Sequence, residues 1–115
     1  MTVGKRITLL SRDEYDYLYN IPELTNNDRI ALFDLSKADH KEINKLPTGA
    51  VKINYILQLG YFRATNYFFK FTFHQVRQDV WFIINKYFPN TPFPKKQISQ
   101  YYHNNNKKKL LKHFK

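Results

Sequence analysis

The stretch "TGAVKINYILQLGYF", residues 48–62, carries a helical apolar repeat in the middle of the chain. Four apolar residues in it lie at the spacing of one helix face: Val51, Tyr55, Ile56 and Leu59. Gly60 stands at a position where a glycine commonly follows the last turn of a helix. The pattern predicts a central helix that buries this face and ends near Gly60.

Three shorter helices are predicted before it. Ser11 with Glu14 forms a capping box for the first, which ends at Pro22. Thr25, or an asparagine directly after it, can cap the second, and Ser36 can cap the third. The expected buried residues are Ile30, Phe33 and, as a further candidate, Leu32 in the second helix, and Ile43 and Leu46 in the third.

The aromatic stretch "RATNYFFKFTF", residues 63–73, has no helical or strand period, and we expect a packed connection there. The following stretch, residues 74–88, gives the strongest helix prediction, with Thr72 as a candidate cap. Its repeating apolar residues are Val76, Val80, Ile83, Ile84 and Tyr87.

Two further helices are predicted after the proline-rich turn of residues 89–94. The first is expected to bury Ile98, Tyr101 and Tyr102. The second begins near Asn105 or Asn106, which are good N-caps, and gathers Leu110, Leu111 and Phe114 on one face. Two helices joined by an asparagine-rich turn resemble a helix-turn-helix. The predicted fold is one all-α domain over residues 1–115, a compact bundle of about six or seven short helices with a helix-turn-helix-like C-terminal part.

Charge divides this chain of 115 residues into two halves. Residues 1–48 carry seven Lys/Arg and eight Asp/Glu, a net charge of −1, and four of the aromatic residues. Residues 49–115 carry twelve Lys/Arg, sixteen aromatic residues and a single acid, Asp79, a net charge of +11. A surface almost without carboxylates attracts phosphates. The basic half is therefore the predicted nucleic-acid-binding part, and the first half is near-neutral.

Several functional classes are disfavoured by the sequence. The chain has no cysteine and three glycines, and it has no glycine-rich phosphate loop and no nucleophile with a base at a recognisable spacing. Four histidines lack a paired metal ligand at helical spacing: His40, His74, His103 and His113. No signal peptide or membrane span is evident. We expect a cytoplasmic protein without catalytic activity, cofactor, small-molecule substrate or membrane partner.

Four patterns carry a resemblance to a known family: "IPELTNNDRIALFDLS" at residues 21–36, "LQLGYFRATNYFF" at residues 57–69, the D-V-x-x-I helix at residues 79–83 and "KYFP" at residues 86–89. From about Leu9 to its end, the chain resembles the amino-terminal domain of replicative transposases of the Tn-three family. The resemblance implies a helical module that binds the terminal inverted repeats of a transposon as double-stranded DNA. It also implies that the metal-dependent Asp-Asp-Glu centre lies beyond this length, and that the chain is a truncated product or fragment. Full-length transposase is then a candidate partner.

The expected DNA contacts fall in the basic half. The cations expected to hold backbone phosphates are Arg63, Lys70, Arg77, Lys95, Lys96, Lys107, Lys108, Lys109 and Lys112. The polar residues expected beside them or on base edges are Gln100, His103, Asn104, Asn105 and Asn106. Asparagine and glutamine amides match adenine in the major groove, which is the reason for this choice.

Other interpretations remain open at this level. The Lys/Asn-rich end can be a solvated, unstructured arm, and an A·T-rich genome over-uses the same residues through its codons. Exposed aromatic rings can stack on single-stranded bases, so a general RNA or single-strand binding module is an alternative. A truncated remnant that acts through protein-protein contacts is a third.

Overall fold

Five α-helices form the regular structure of residues 21–114, the part of the chain that this computed structural model describes. In chain order they are α1 (Asn26–Leu32), α2 (Lys37–Asn44), α3 (Gly49–Thr65), α4 (Arg77–Tyr87) and α5 (Gln100–His113). No strand occurs within that range. The all-helical prediction is confirmed, but six helices were expected in this part. The helix predicted to begin after Ser11 lies outside the described residues.

Helix α3 is the centre of the fold and contacts each of the other four helices. Residues 53–61 are all buried, because a helix surrounded by others has no solvent-facing side. The predicted end at Gly60 is wrong. A Cβ atom at Gly60 would overlap the ring of Phe33, so the glycine permits close packing, and α3 continues to Thr65. Asn66, in the left-handed conformation with φ 65°, ends the helix.

Helices α1 and α2 begin with capping boxes that use an aspartate at the third position. Thr25 and Ser36 are the N-caps, as predicted. Phe33, Ile43 and Leu46 are buried as expected. The prediction that Ile30 is buried is wrong, since its side chain is 48% exposed, and Leu32 is half-buried. Phe33, directly after α1, and Arg29, whose side chain is 15% accessible, face inward instead.

The prediction of a packed connection over residues 63–73 is confirmed for residues 66–73, which are irregular, whereas residues 63–65 belong to α3. Its buried aromatic residues are Phe68, Phe69, Phe71 and Phe73. The predicted Thr72 cap is wrong, because α4 begins at Arg77 after Val76, which has no side-chain cap hydrogen bond. Thr72 closes an earlier turn: its Oγ1 accepts from the Gln75 amide at 3.1 Å, and Gln75 Oε1 accepts from the Thr72 amide at 2.8 Å. The expected face of α4 is buried, with Tyr87 half-buried.

Helix α5 runs without a break where two helices and a turn were predicted. Ser99 is its N-cap, and neither Asn105 nor Asn106 caps a helix. Both the helix-turn-helix prediction and the unstructured-arm alternative are therefore wrong for residues 100–113. Leu110 is buried, but Leu111 and Phe114 are 40% and 43% exposed. Ile98 is half-buried, whereas Tyr101 and Tyr102, which were expected inside, are exposed.

Candidate nucleic-acid interface

A buried polar network fixes α5 on α3. Asn106 Nδ2 donates to Asn54 Oδ1 at 2.9 Å and to the Val51 carbonyl at 3.1 Å. Gln58 Nε2 donates to the same Asn54 oxygen at 2.7 Å and to the carbonyl of His103 at 3.1 Å. Hydrogen-bonded networks of this kind specify one packing arrangement, because a displaced helix would leave the buried groups unpaired.

The same network determines the protonation of His103. Asn54 Oδ1 accepts two donors, so its Nδ2 faces His103 Nδ1, 3.1 Å away. That nitrogen must accept, and the proton of the neutral ring lies on Nε2. Burial lowers the pKa of His103, and the positive charges of Lys107 and Lys70 lower it further. Of these two predicted DNA contacts, Asn106 is buried and His103 is half-buried, and both bond to α3 and position α5.

The outward face of α5 begins at Tyr101. Its other side chains follow at intervals of three or four residues, which places them on one side of a helix. We call this surface the α5 outward face; its members are Tyr101, Asn104, Asn105, Lys108, Leu111 and Lys112. Asn105 is half-buried at its edge, and the others are exposed. Gln100 adjoins the face and donates from Nε2 to Asn104 Oδ1 at 3.0 Å.

Lys107 and Lys109 lie on the flanks of α5. The Lys107 amine is 5.6 Å from the ring centre of Phe68, a cation–π contact. Lys109 lines a shallow depression with Glu42, Lys112 and His113. The pKa of Glu42 is lowered chiefly by a hydrogen bond from Lys45, and the charge of Lys109 contributes to the shift. Lys109 therefore lies near a carboxylate, and Lys112 of the α5 outward face borders the same depression.

Gln97 joins two segments that precede α5, and the ring of Phe71 contacts the first turns of α5. Gln97 Nε2 donates to the Phe71 carbonyl at 2.6 Å, and Gln97 Oε1 accepts from the Phe73 amide at 3.3 Å. The Phe71 ring packs against His103 with 5.7 Å between ring centres. Three exposed cations adjoin these contacts along the chain: Lys70, Lys95 and Lys96. The structure thus brings two further predicted segments close to the start of α5.

The two predicted arginines have other surroundings. Arg63 Nη1 donates to the carbonyls of Leu32 and Asp34 at 2.9 Å and 2.5 Å, and Nη2 pairs with Asp39 at 3.1 Å. These bonds tie the end of α3 to the first two helices, so Arg63 has a structural role and its side chain is only 27% accessible. Arg77 is exposed at the start of α4 and donates to the His74 carbonyl at 3.0 Å.

Sequence reasoning missed the role of two buried aspartates. Asp39 is 1% exposed and joins the Ser36 capping box to Arg63, for which the Ser-x-x-Asp spacing was the available signal. Asp79, the single acid of the basic half, accepts from Arg29 Nε at 2.6 Å and from the Tyr61 hydroxyl at 2.5 Å. Burial and this carboxylate raise the pKa of Tyr61. With Asp79 only 6% exposed, the basic half presents its cations without an accessible acid of its own.

Residues 21–114 thus form an all-helical domain with one helix face rich in amides and lysines. The chain belongs to the family described as Domain of unknown function (DUF4158), whose model matches residues 9–115. No curated protein and no solved structure matches the chain. Within the described range, no helix is both long enough and apolar enough to cross a bilayer.

Proposed function

We propose that this protein is a non-catalytic module that binds double-stranded DNA, with the α5 outward face against the duplex. One observation carries the proposal. Exposed Lys108 and Lys112 share a helix face with Asn104, and the only acid of the basic half, Asp79, is buried away from solvent. Such a surface attracts phosphates over a wide area and offers amides to base edges.

The shape of α5 suits a duplex. Its 14 residues correspond to a length of roughly 21 Å at the usual rise per residue. The major groove of B-DNA, about 12 Å wide, admits an α-helix. Because the buried network holds α5 on α3, the backbone positions from which its lysines and amides extend are fixed, which reduces the entropy lost on binding.

The finer identity rests on the sequence resemblance described above. In the Tn-three family transposases that the chain resembles, this domain binds the terminal inverted repeats of the transposon. We propose the same ligand here.

A single-strand-binding function is favoured by one observation, the 67% exposure of Tyr101, since an exposed ring can stack on a base. Four of the five aromatic residues in the connection before α4 do not support it, because these phenylalanines are buried in the core, whereas Tyr67 is 41% exposed. Duplex DNA is therefore the preferred ligand, and single strands are an outcome that the following experiment distinguishes.

The test is a titration of a labelled random-sequence duplex at several salt concentrations, with matched single-stranded DNA and RNA as competitors. We expect tight binding at low salt and a linear fall of log K with log salt, with a slope of roughly 0.9 for each phosphate neutralised. The variant Lys108→Gln/Lys112→Gln should lower that slope by roughly 1.8.

The matched control is Lys37→Gln/Lys41→Gln, which removes the same charge from exposed positions of α2 in the near-neutral half. Its slope should equal that of the parent. Equal slopes for all three proteins would contradict the assignment of the α5 outward face. Preference for single strands or RNA over the duplex would contradict duplex binding itself.

A further inference from the structure

One amide on the α5 outward face is held in place by a neighbour. Gln100 Nε2 donates to Asn104 Oδ1 at 3.0 Å, one turn along the helix, and both side chains are exposed. Elsewhere on α5, Asn106 donates into α3 and Asn105 is half-buried at the edge of the face. Asn104 is therefore the one of the three consecutive asparagines whose amide is both exposed and oriented.

The orientation leaves a donor and an acceptor available. A carbonyl oxygen has two lone pairs, so Asn104 Oδ1 can accept from Gln100 and from a second donor at once. Among residues 21–114 its Nδ2 has no acceptor, so both hydrogens are available to a ligand. The amide thus presents an acceptor and a donor side by side, which is the complement of the N6 donor and N7 acceptor of adenine in the major groove. Guanine presents two acceptors, O6 and N7, and would place its O6 against Asn104 Oδ1.

The lysines of the same face lie where they can fix the register. Lys108 and Lys112 follow Asn104 by four and eight residues and so continue along one side of the helix. Contacts from such cations to phosphates position a protein on the duplex, whereas contacts to base edges specify the sequence. The two kinds of contact are available from neighbouring turns of α5.

We propose that Asn104 recognises adenine in the major groove and that Gln100 is a positioning residue that orients its amide. This inference rests on the proposed function, duplex binding by the α5 outward face. It adds a chemical preference: an A·T base pair at one fixed position of the bound site.

The first experiment is a parallel selection from duplexes with a randomised central segment, using the parent, Asn104→Ala and Asn85→Ala. Asn85 is an exposed asparagine within α4, so its replacement controls for the loss of a helical amide away from α5. We expect the parent and Asn85→Ala to enrich an A·T pair at one position, and Asn104→Ala to lose that enrichment while it still binds duplex at low salt.

The second experiment replaces the selected adenine by 7-deazaadenine, which removes the N7 acceptor and keeps Watson–Crick pairing. Parent affinity should fall about tenfold or more, whereas the affinity of Asn104→Ala should be the same for both duplexes. Gln100→Met, which keeps the length of the side chain and removes the donor, should reduce the parent's preference for adenine over 7-deazaadenine. The salt slope of its binding to random duplex should equal the parent's, because the substitution removes no charge.

The outcomes separate the two proposals. Salt-dependent duplex binding without adenine enrichment, or an enrichment that survives in Asn104→Ala, overturns the role of Asn104 and leaves duplex binding in place. A parent that is insensitive to 7-deazaadenine overturns it as well. A parent that fails to bind duplex at low salt overturns both.

Discussion

The two faces of α5 contain the same kinds of residue and do opposite things. On the inward face, Asn106 is 1% exposed and donates to α3, and Leu110 is completely buried. On the outward face, Asn104 and Leu111, two and one residues away, are exposed. Residue type therefore does not indicate which asparagine or leucine holds the helix. The direction of each side chain around the helix axis does, and that direction is fixed by the partners on α3.

The inward face combines apolar and polar contacts, and the two have different consequences. Burial of Leu110 stabilises the folded state in proportion to the apolar surface removed from water. The amide network contributes less net free energy, because its hydrogen bonds take the place of hydrogen bonds that the same groups make to water in the unfolded chain. It nevertheless disfavours every other orientation of α5, since another orientation would leave buried groups unpaired. One acceptor in it, Gln58 Oε1, has no hydrogen-bond partner within the described residues. The network is thus better suited to orienting α5 than to stabilising the domain.

The sharpest test of this comparison uses the adjacent leucines. Leu110→Ala should lower the free energy of unfolding by about 2–5 kcal/mol, because it removes a completely buried side chain and leaves a cavity. Leu111→Ala, at 40% exposure, should cost less than about 1 kcal/mol. Urea unfolding followed by circular dichroism measures both. Similar losses for the two variants would mean that α5 is not docked through the face described.

The second test uses the asparagines. Asn106→Ala should destabilise the protein by about 1–3 kcal/mol, since it deletes two buried donors and leaves their acceptors less satisfied. Asn104→Ala should stay within about 0.5 kcal/mol of the parent, because its amide is exposed. The same unfolding measurement applies, and a destabilised Asn104→Ala beside an unaffected Asn106→Ala would reverse the two faces.

Much of the core could be predicted from local patterns. Apolar periodicity identified the buried faces of α3 and α4, and the Thr25 and Ser36 caps followed from short-range hydrogen-bonding chemistry. The end of α3 could not be predicted in this way, because Gly60 is needed for the ring of Phe33, which lies far away in the sequence. Local sequence patterns therefore misplace a helix end where a residue such as Gly60 is required by packing against a residue that is distant in the sequence.

The candidate site shows the same limit. Asparagine is both a good N-cap and a good buried hydrogen-bonding partner, so Asn106 suggested a helix start when its partner, Asn54, was not known. Arg63 was likewise predicted to hold a phosphate, whereas in the structure it pairs with Asp39. Asp79, the single acid of the basic half, is buried, so the charge asymmetry of the sequence persists among the exposed side chains of residues 49–114. The tertiary structure alone shows which cations pair with other groups inside the fold.

The smallest expected effect concerns pH and the histidine of the inward face. The pKa of His103 is lowered from its ordinary value of 6.5 by burial, and further by Lys107 and Lys70. Below pH 6.5 the unfolded chain therefore binds a proton at His103 that the folded protein resists. The contribution of His103 to the free energy of unfolding is fully present above that pH, and it is lost as the pH falls toward the lower pKa of the folded state.

The variant His103→Asn keeps an acceptor near the position of Nδ1 and removes the titrating group. Its loss of stability between about pH 7.5 and 5.5 should therefore be smaller than the loss in the parent. Asn85→Ala, an exposed substitution in α4 that changes no titratable group, is the control and should keep the parent's pH dependence. Urea unfolding at the two pH values gives the difference for each protein independently of its absolute stability. If His103→Asn loses as much stability on acidification as the parent does, the assignment of His103 as a neutral acceptor of the Asn54 hydrogen bond is wrong.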